Sequence, residues 1–120
     1  MDFVPDFTFA HIGVNLNSSE EAEQNAELFA NLFSIPRNPD KESKDASYSG
    51  TQIEWLKKTG KGTHGHIALG THDLPGAMTY LEKKGLRWDK STIKYDDSGK
   101  ILVIMSVQEI GGFAIQLMQL

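Results

Sequence analysis

Four residues of this chain could share one piece of chemistry: His11, Glu54, His66 and Gln116. Each stands beside aliphatic or aromatic residues in a short alternating stretch. His11 precedes Ile12 and Val14, Glu54 lies between Ile53 and Trp55, His66 precedes Ile67, and Gln116 lies between Ile115 and Leu117. Successive side chains of a β-strand point to opposite faces. If the apolar residues face a core, the four polar ones face away from it together. Two imidazoles, one carboxylate and one amide oxygen suit a divalent first-row metal ion such as Zn, Ni, Mn, Co or Fe. Such a donor set leaves coordination positions for water or for a small-molecule substrate with vicinal oxygens. A metal held this way polarises a carbonyl or enediolate and lowers the pKa of bound water. Only one of the four groups is anionic, so the ion keeps positive charge and draws an oxyanionic substrate.

Either histidine alone would pass for an ordinary strand residue. The weight comes from repetition of the elements that carry them. Phe7 to Leu16 alternates as a strand, with Ile12, Val14 and Leu16 on one face and His11, Gly13 and Asn15 on the other. Ser18-Ser19-Glu20-Glu21 is a capping-box start for a helix running to about Ser34. Its apolar stripe is Ala22, Ala26, Phe29 and Phe33, flanked by Leu32, and Pro36 stops it. A polar loop with two prolines follows over 36–45. Ala46–Ser49 and Thr51–Lys57 then form a hairpin about Gly50. After Lys58-Thr59-Gly60-Lys61-Gly62 the same order restarts: a strand at His66–Gly70, a helix capped by Asp73 and stopped by Gly85, and an extended stretch from Arg87 to Tyr95. A turn at Asp96–Gly99 and strands at Ile101–Val107 and Phe113–Leu120 complete it. His11-Ile12 matches His66-Ile67, and Ile53-Glu54 matches Ile115-Gln116. Each half is too small to bury its own sheet face, so the halves should pair. Gly13, Ala68, Gly70 and Ala114 fall on the polar face and leave room there.

The bulk properties narrow the rest. One domain spans residues 1–120, with modules at about 7–57 and 63–120. Hydrophobic residues make up 39% and charged residues 23%, enough for a folded core. There is no cysteine, hence no disulfide framework, thiolate site or cysteine nucleophile. Net charge is −4 without a basic stripe, which argues against nucleic acid. No apolar run approaches a membrane span and the start carries no secretion signal, so a cytoplasmic protein is expected. His64 reads as a loop residue and His72 as one near a helix start. Trp55, Trp88 and Phe113 read as core, and Tyr48, Tyr80 and Tyr95 have no spacing that singles them out.

On these residues the chain resembles the vicinal oxygen chelate superfamily, which includes glyoxalase I, extradiol dioxygenases, methylmalonyl-CoA epimerase and the fosfomycin and bleomycin resistance proteins. Gly65-His66-Ile67-Ala68-Leu69 looks like the glyoxalase I strand that supplies a metal histidine. His11 matches the first-strand ligand, Ile53-Glu54 the carboxylate that closes the first module, and Ile115-Gln116-Leu117 the segment that normally supplies the last glutamate. The resemblance implies an α+β fold of two tandem βαβββ modules, with a curved mixed sheet around a metal-binding cleft. It implies a cleft built within one chain or across a homodimer that exchanges halves. Gln116 departs from the family, because an amide coordinates but cannot take the proton that the glutamate takes. Glu54 becomes the expected proton shuttle. A narrower likeness, in His64–Ala68 and Glu109–Ala114, is to a glyoxalase-like domain appended to some bacterial keto-deoxy-phosphogluconate/keto-hydroxyglutarate aldolases. The expected function is a metal-dependent isomerase, epimerase or lyase for a small α-oxo or α-hydroxy substrate. The other expectation is a non-catalytic binding, resistance-type or regulatory module using the same cleft.

Overall fold

The computed structural model describes residues 3–120. Seven strands form one mixed sheet, with two helices against it: β1 (Thr8–Asn15), α1 (Ser19–Phe33), β2 (Ala46–Ser49), β3 (Ile53–Leu56), β4 (Gly65–Thr71), α2 (Leu74–Glu82), β5 (Trp88–Tyr95), β6 (Ile101–Ile110) and β7 (Phe113–Gln119). The strand order is β2-β3-β1-β4-β7-β6-β5. β1 and β4, which open the two halves, pair antiparallel at the centre. Each has the last strand of its own half as a parallel neighbour on the other side, β3 beside β1 and β7 beside β4. The α+β architecture of two similar halves is therefore present. No helix among the described residues is long and apolar enough to cross a membrane.

The two halves differ in one strand. The second has three strands after its helix, and the first has two. At the place of the missing strand a single bridge joins Arg37 to Ser49. Pro36 and Pro39 bracket the region, and proline cannot donate to a ladder. The Arg37 side chain does what the ladder would have done. Its guanidinium binds Glu42 through two bonds of 3.0 Å, reaches Glu27 at 3.1 Å, and also pairs with Glu23. It thereby ties α1 to the loop that covers edge strand β2, all four of whose residues are buried.

Both helices start as the sequence dictates. Ser18 accepts from Glu21 N, while the Glu21 carboxylate accepts from Asn17 N. Asp73 accepts from Gly76 N at the start of α2. Ser34, in the left-handed region at φ 57°, ends α1. The apolar stripe of α1 is shorter than expected. Ala22, Ala26 and Phe29 pack with Trp55, Val14, Leu16 and Ile53, whereas Leu32 and Phe33 are exposed. Under α2 a second cluster joins Leu74, Ala77, Trp88, Ile104 and Leu117. These two cores occupy the helix side of the sheet. Burying Leu74, Ile104 and Leu117 completely contributes on the order of 1.5–3 kcal/mol each. The opposite side is left free for a cleft.

Candidate metal centre

All seven strands contribute to that cleft, of about 630 Å³. His11 comes from β1, Tyr48 from β2, Glu54 from β3, His66 from β4 and Gln116 from β7. The four residues expected from alternation line it together, within one chain.

Three of them converge on a point. His66 Nε2 lies 3.2 Å from Glu54 Oε1 and 3.2 Å from His11 Nε2, and His11 Nε2 lies 3.7 Å from Glu54 Oε1. Donor atoms bound at ~2.1 Å to one ion lie roughly 3.0–3.4 Å apart in octahedral or tetrahedral arrangements. Two edges of the observed triangle are of that size, and the His11–Glu54 edge is about 0.3 Å longer than the range. His11, Glu54 and His66 could hold a metal ion. Beside them, the amide oxygen of Gln116 is buried with no hydrogen-bond partner in the protein. A buried orphan acceptor costs about 1–3 kcal/mol. A cation or a water in the cleft would satisfy it.

The protonation states suit the same ion. Burial is the largest influence on His11 and lowers its pKa, which keeps the imidazole neutral and its lone pair available. Burial pushes the Glu54 carboxyl up. Hydrogen bonding to His66 and Tyr48 and the electrostatic influence of the two neighbouring imidazoles outweigh it, so Glu54 stays ionised below the ordinary glutamate range.

Two neighbours set the geometry. The Tyr48 hydroxyl donates to Glu54 Oε2 at 3.0 Å, which turns Oε1 towards the histidines. Burial first, and then Glu54, raises the Tyr48 pKa, so the hydroxyl remains a donor. Sequence spacing did not single out Tyr48. The signal was the hairpin register, because a turn at Gly50–Gln52 places Tyr48 opposite Glu54. The other neighbour is Gly13, paired across the central ladder with His66. A Cβ at position 13 would lie 2.6 Å from both ring nitrogens of His66 and closer still to Cε1. His66 is 5% exposed and its Nδ1 has no hydrogen-bond partner. The bare backbone of Gly13 holds this ring on one side, and the Nε2 contacts to Glu54 and His11 hold its tip.

The remaining histidines lie outside the cleft lining. His64 stacks on Phe113, with ring centroids 5.9 Å apart, and its backbone bonds Asn15 and Gly112 across the junction of the halves. It is the loop residue expected, immediately before β4, and it joins the two halves. His72 pairs at 2.7 Å with Asp6, which also accepts from His72 N and Thr71. Trp55 and Trp88 are core residues, as expected.

No protein-family model and no curated protein matches the sequence. Solved structures do match. A hypothetical protein from Bacillus halodurans superposes with a TM-score of 0.63 at 12% identity, over 96% of this chain and 95% of that one. A variant methylmalonyl-CoA epimerase from Streptomyces coelicolor, in complex with 2-nitronate-propionyl-CoA, gives 0.61 at 14% identity over 93% of each chain. A variant 4-hydroxymandelate synthase from the same organism gives 0.59 at 15% identity, over 96% of this chain and 48% of that one. The epimerase and the synthase are both members of the vicinal oxygen chelate superfamily. At these identities the likeness is one of fold: this chain has the α+β architecture of the epimerase and of about half of the synthase.

Proposed function

We propose that the cleft is a divalent-metal centre, with His11, Glu54 and His66 as ligands and Gln116 Oε1 as the fourth, and that it acts on a small α-oxo or α-hydroxy compound. One observation carries this: the triangle of two imidazole nitrogens and one carboxylate oxygen, with edges of 3.2, 3.2 and 3.7 Å, drawn from three strands. A bound divalent ion would supply Lewis-acid polarisation of the substrate oxygens. The protein's share is to hold the donors and aim them. Gly13 makes room for the His66 ring, and Tyr48 fixes the Glu54 carboxylate. Proton transfer falls to Glu54, the carboxylate that touches both histidines. An isomerase or epimerase accords with the fold neighbour that is an epimerase. Measuring metal content and metal-dependent thermal shift tests the centre. Stoichiometric metal is expected, together with its loss in His11→Ala and His66→Ala. An absence of metal uptake, with both variants unchanged, ends this reading.

A second reading, binding without turnover, is favoured by the state of the available bases. Residue 116 is an amide, and Glu54 is both held by Tyr48 and shifted below its usual pKa. A weak base in that position abstracts a proton from carbon slowly. Assaying the parent protein and Gln116→Glu on a panel of α-keto acids and hemithioacetals separates the two readings. Turnover by the parent protein excludes the purely binding role.

A further inference from the structure

Strand β5 is irregular where it borders the cleft. Asp89 pairs with Met105 and Lys94 with Val103, so β5 spends five residue steps where β6 spends two. Thr92 holds the extra loop of chain in place. Its hydroxyl accepts from Met105 N at 2.9 Å and donates to Asp89 O at 2.6 Å, in place of a ladder bond. A bulge re-aims side chains that alternation would send to the far face. Here Ser91, Thr92 and Lys94 border the cleft, while the Ile93 side chain packs on the core beneath α2.

Most polar groups along this wall are already satisfied. Ser91 Oγ donates to Asp89 at 2.6 Å, and the Thr92 hydroxyl is used in both directions. Lys61, the other lysine of the cleft, is held by Asp89 at 3.0 Å. Lys94 has no ion pair among the described residues. Between it and the unpartnered amide oxygen of Gln116 lies an apolar floor. Met105 stands opposite Gln116, and Val103 stands opposite both Met118 and Lys94. From His66 on β4 to Lys94 on β5 is three strand spacings, roughly 14 Å, across the sheet and four residues, roughly 13 Å, along it, of which the lysine side chain covers part. The cleft thus has a ligand-donor pole, an apolar middle and one uncompensated cation at the far end.

We infer that Lys94 determines specificity by binding a second anionic group, a carboxylate or a phosphate, on an α-oxo or α-hydroxy acid whose vicinal oxygens face His11, Glu54, His66 and Gln116. This rests on the metal-centre reading above. The test measures binding to the metal-loaded protein by calorimetry at roughly 0.15 M ionic strength. One arm compares α-ketoadipate with α-ketocaproate, which has the same chain length without the distal carboxylate. The other compares 3-phosphoglycerate with glycerate. The parent protein should prefer the doubly anionic member of at least one pair by roughly fivefold. Lys94→Gln should bring that ratio near one, and Lys94→Arg should keep it. The arm that shows the Lys94-dependent preference identifies the distal group. The inference is overturned if neither arm shows a preference, if the preference survives Lys94→Gln, or if Lys61→Gln removes it instead. Metal uptake without any Lys94 dependence leaves the metal centre standing and sinks this inference alone. Failure of the parent protein to take up metal removes both.

Discussion

Gly13→Ala tests whether the His66 ring occupies the place that the metal centre needs. The added methyl would start 2.6 Å from two ring nitrogens of His66. Ordinary carbon contacts lie at about 3.5–4.0 Å, so the ring must retreat by roughly 1 Å or more. It is 5% exposed and packed on the central ladder, so it has little free space to enter. Overpacking of this kind costs about 1–3 kcal/mol of stability. The effect on the site should be larger. Metal–ligand distances tolerate about 0.2 Å, and a 1 Å displacement takes His66 out of the coordination sphere. Metal affinity should fall at least 100-fold, as far as for His66→Ala. Competition with a chromophoric chelator gives the affinity, and thermal unfolding gives the stability. The double variant Gly13→Ala/His66→Ala should regain part of the stability lost in Gly13→Ala, because the methyl then has room. If Gly13→Ala binds metal within a factor of about three of the parent while His66→Ala does not, the reasoning from packing is refuted.

Tyr48→Phe removes the donor to a partly buried carboxylate and should cost about 1.5–3 kcal/mol at neutral pH. It should also weaken metal binding by about 10–100-fold; an unchanged affinity would show that Tyr48 does not position Glu54. Arg37→Met should destabilise by about 1–2 kcal/mol, mostly through the two-bonded Glu42, since Glu23 and Glu27 are substantially exposed. The pH response has a defined sign: Arg37 holds the Glu23 carboxyl down from 4.5 to about 2 and lowers Glu42 as well. Their contribution is fully present above the unfolded value near 4.5 and is lost as pH falls towards about 2. Acid unfolding curves of the parent and Arg37→Met should therefore converge over that interval. Gln116→Glu adds a second carboxylate beside Glu54, so it should lower stability without metal and raise metal affinity, both readable in one thermal-shift series.

Much of the site was legible because its strands are regular. Along β3, β4 and β7 the period of two holds through Glu54, His66 and Gln116, in β1 it holds from His11 onward, just after a register shift at Phe9–His11, and apolar neighbours fix which face is which. Tyr48 was hidden because its role depends on a cross-strand partner, which the turn at Gly50 decides. Lys94 was hidden for the opposite reason: the bulge at 90–93 breaks the alternation on which face assignment relies. The absent strand of the first half left a trace in Pro36 and Pro39. The compensation by Arg37, however, joins α1, the loop and β2, and no local pattern records it. Phe33 kept helical spacing but lies at the end of α1, where the left-handed Ser34 turns the chain away from the core.

The segment standing where that strand would be also forms part of the cleft mouth, through Ser43 and Asp45. A strand there would tie the mouth to the register of the sheet. A loop anchored by Arg37 and Glu42 leaves the residues between them outside any ladder. Doubling the length of a flexible loop costs only about 0.6 kcal/mol. The entrance can therefore take insertions at 39–41, provided that Glu42 keeps its bonds to Arg37 and Tyr48 N, while His11, Glu54, His66 and Gln116 stay where the sheet holds them. The mouth of the cleft and its floor thus rest on different supports, joined at Glu42, which also accepts from Tyr48 N.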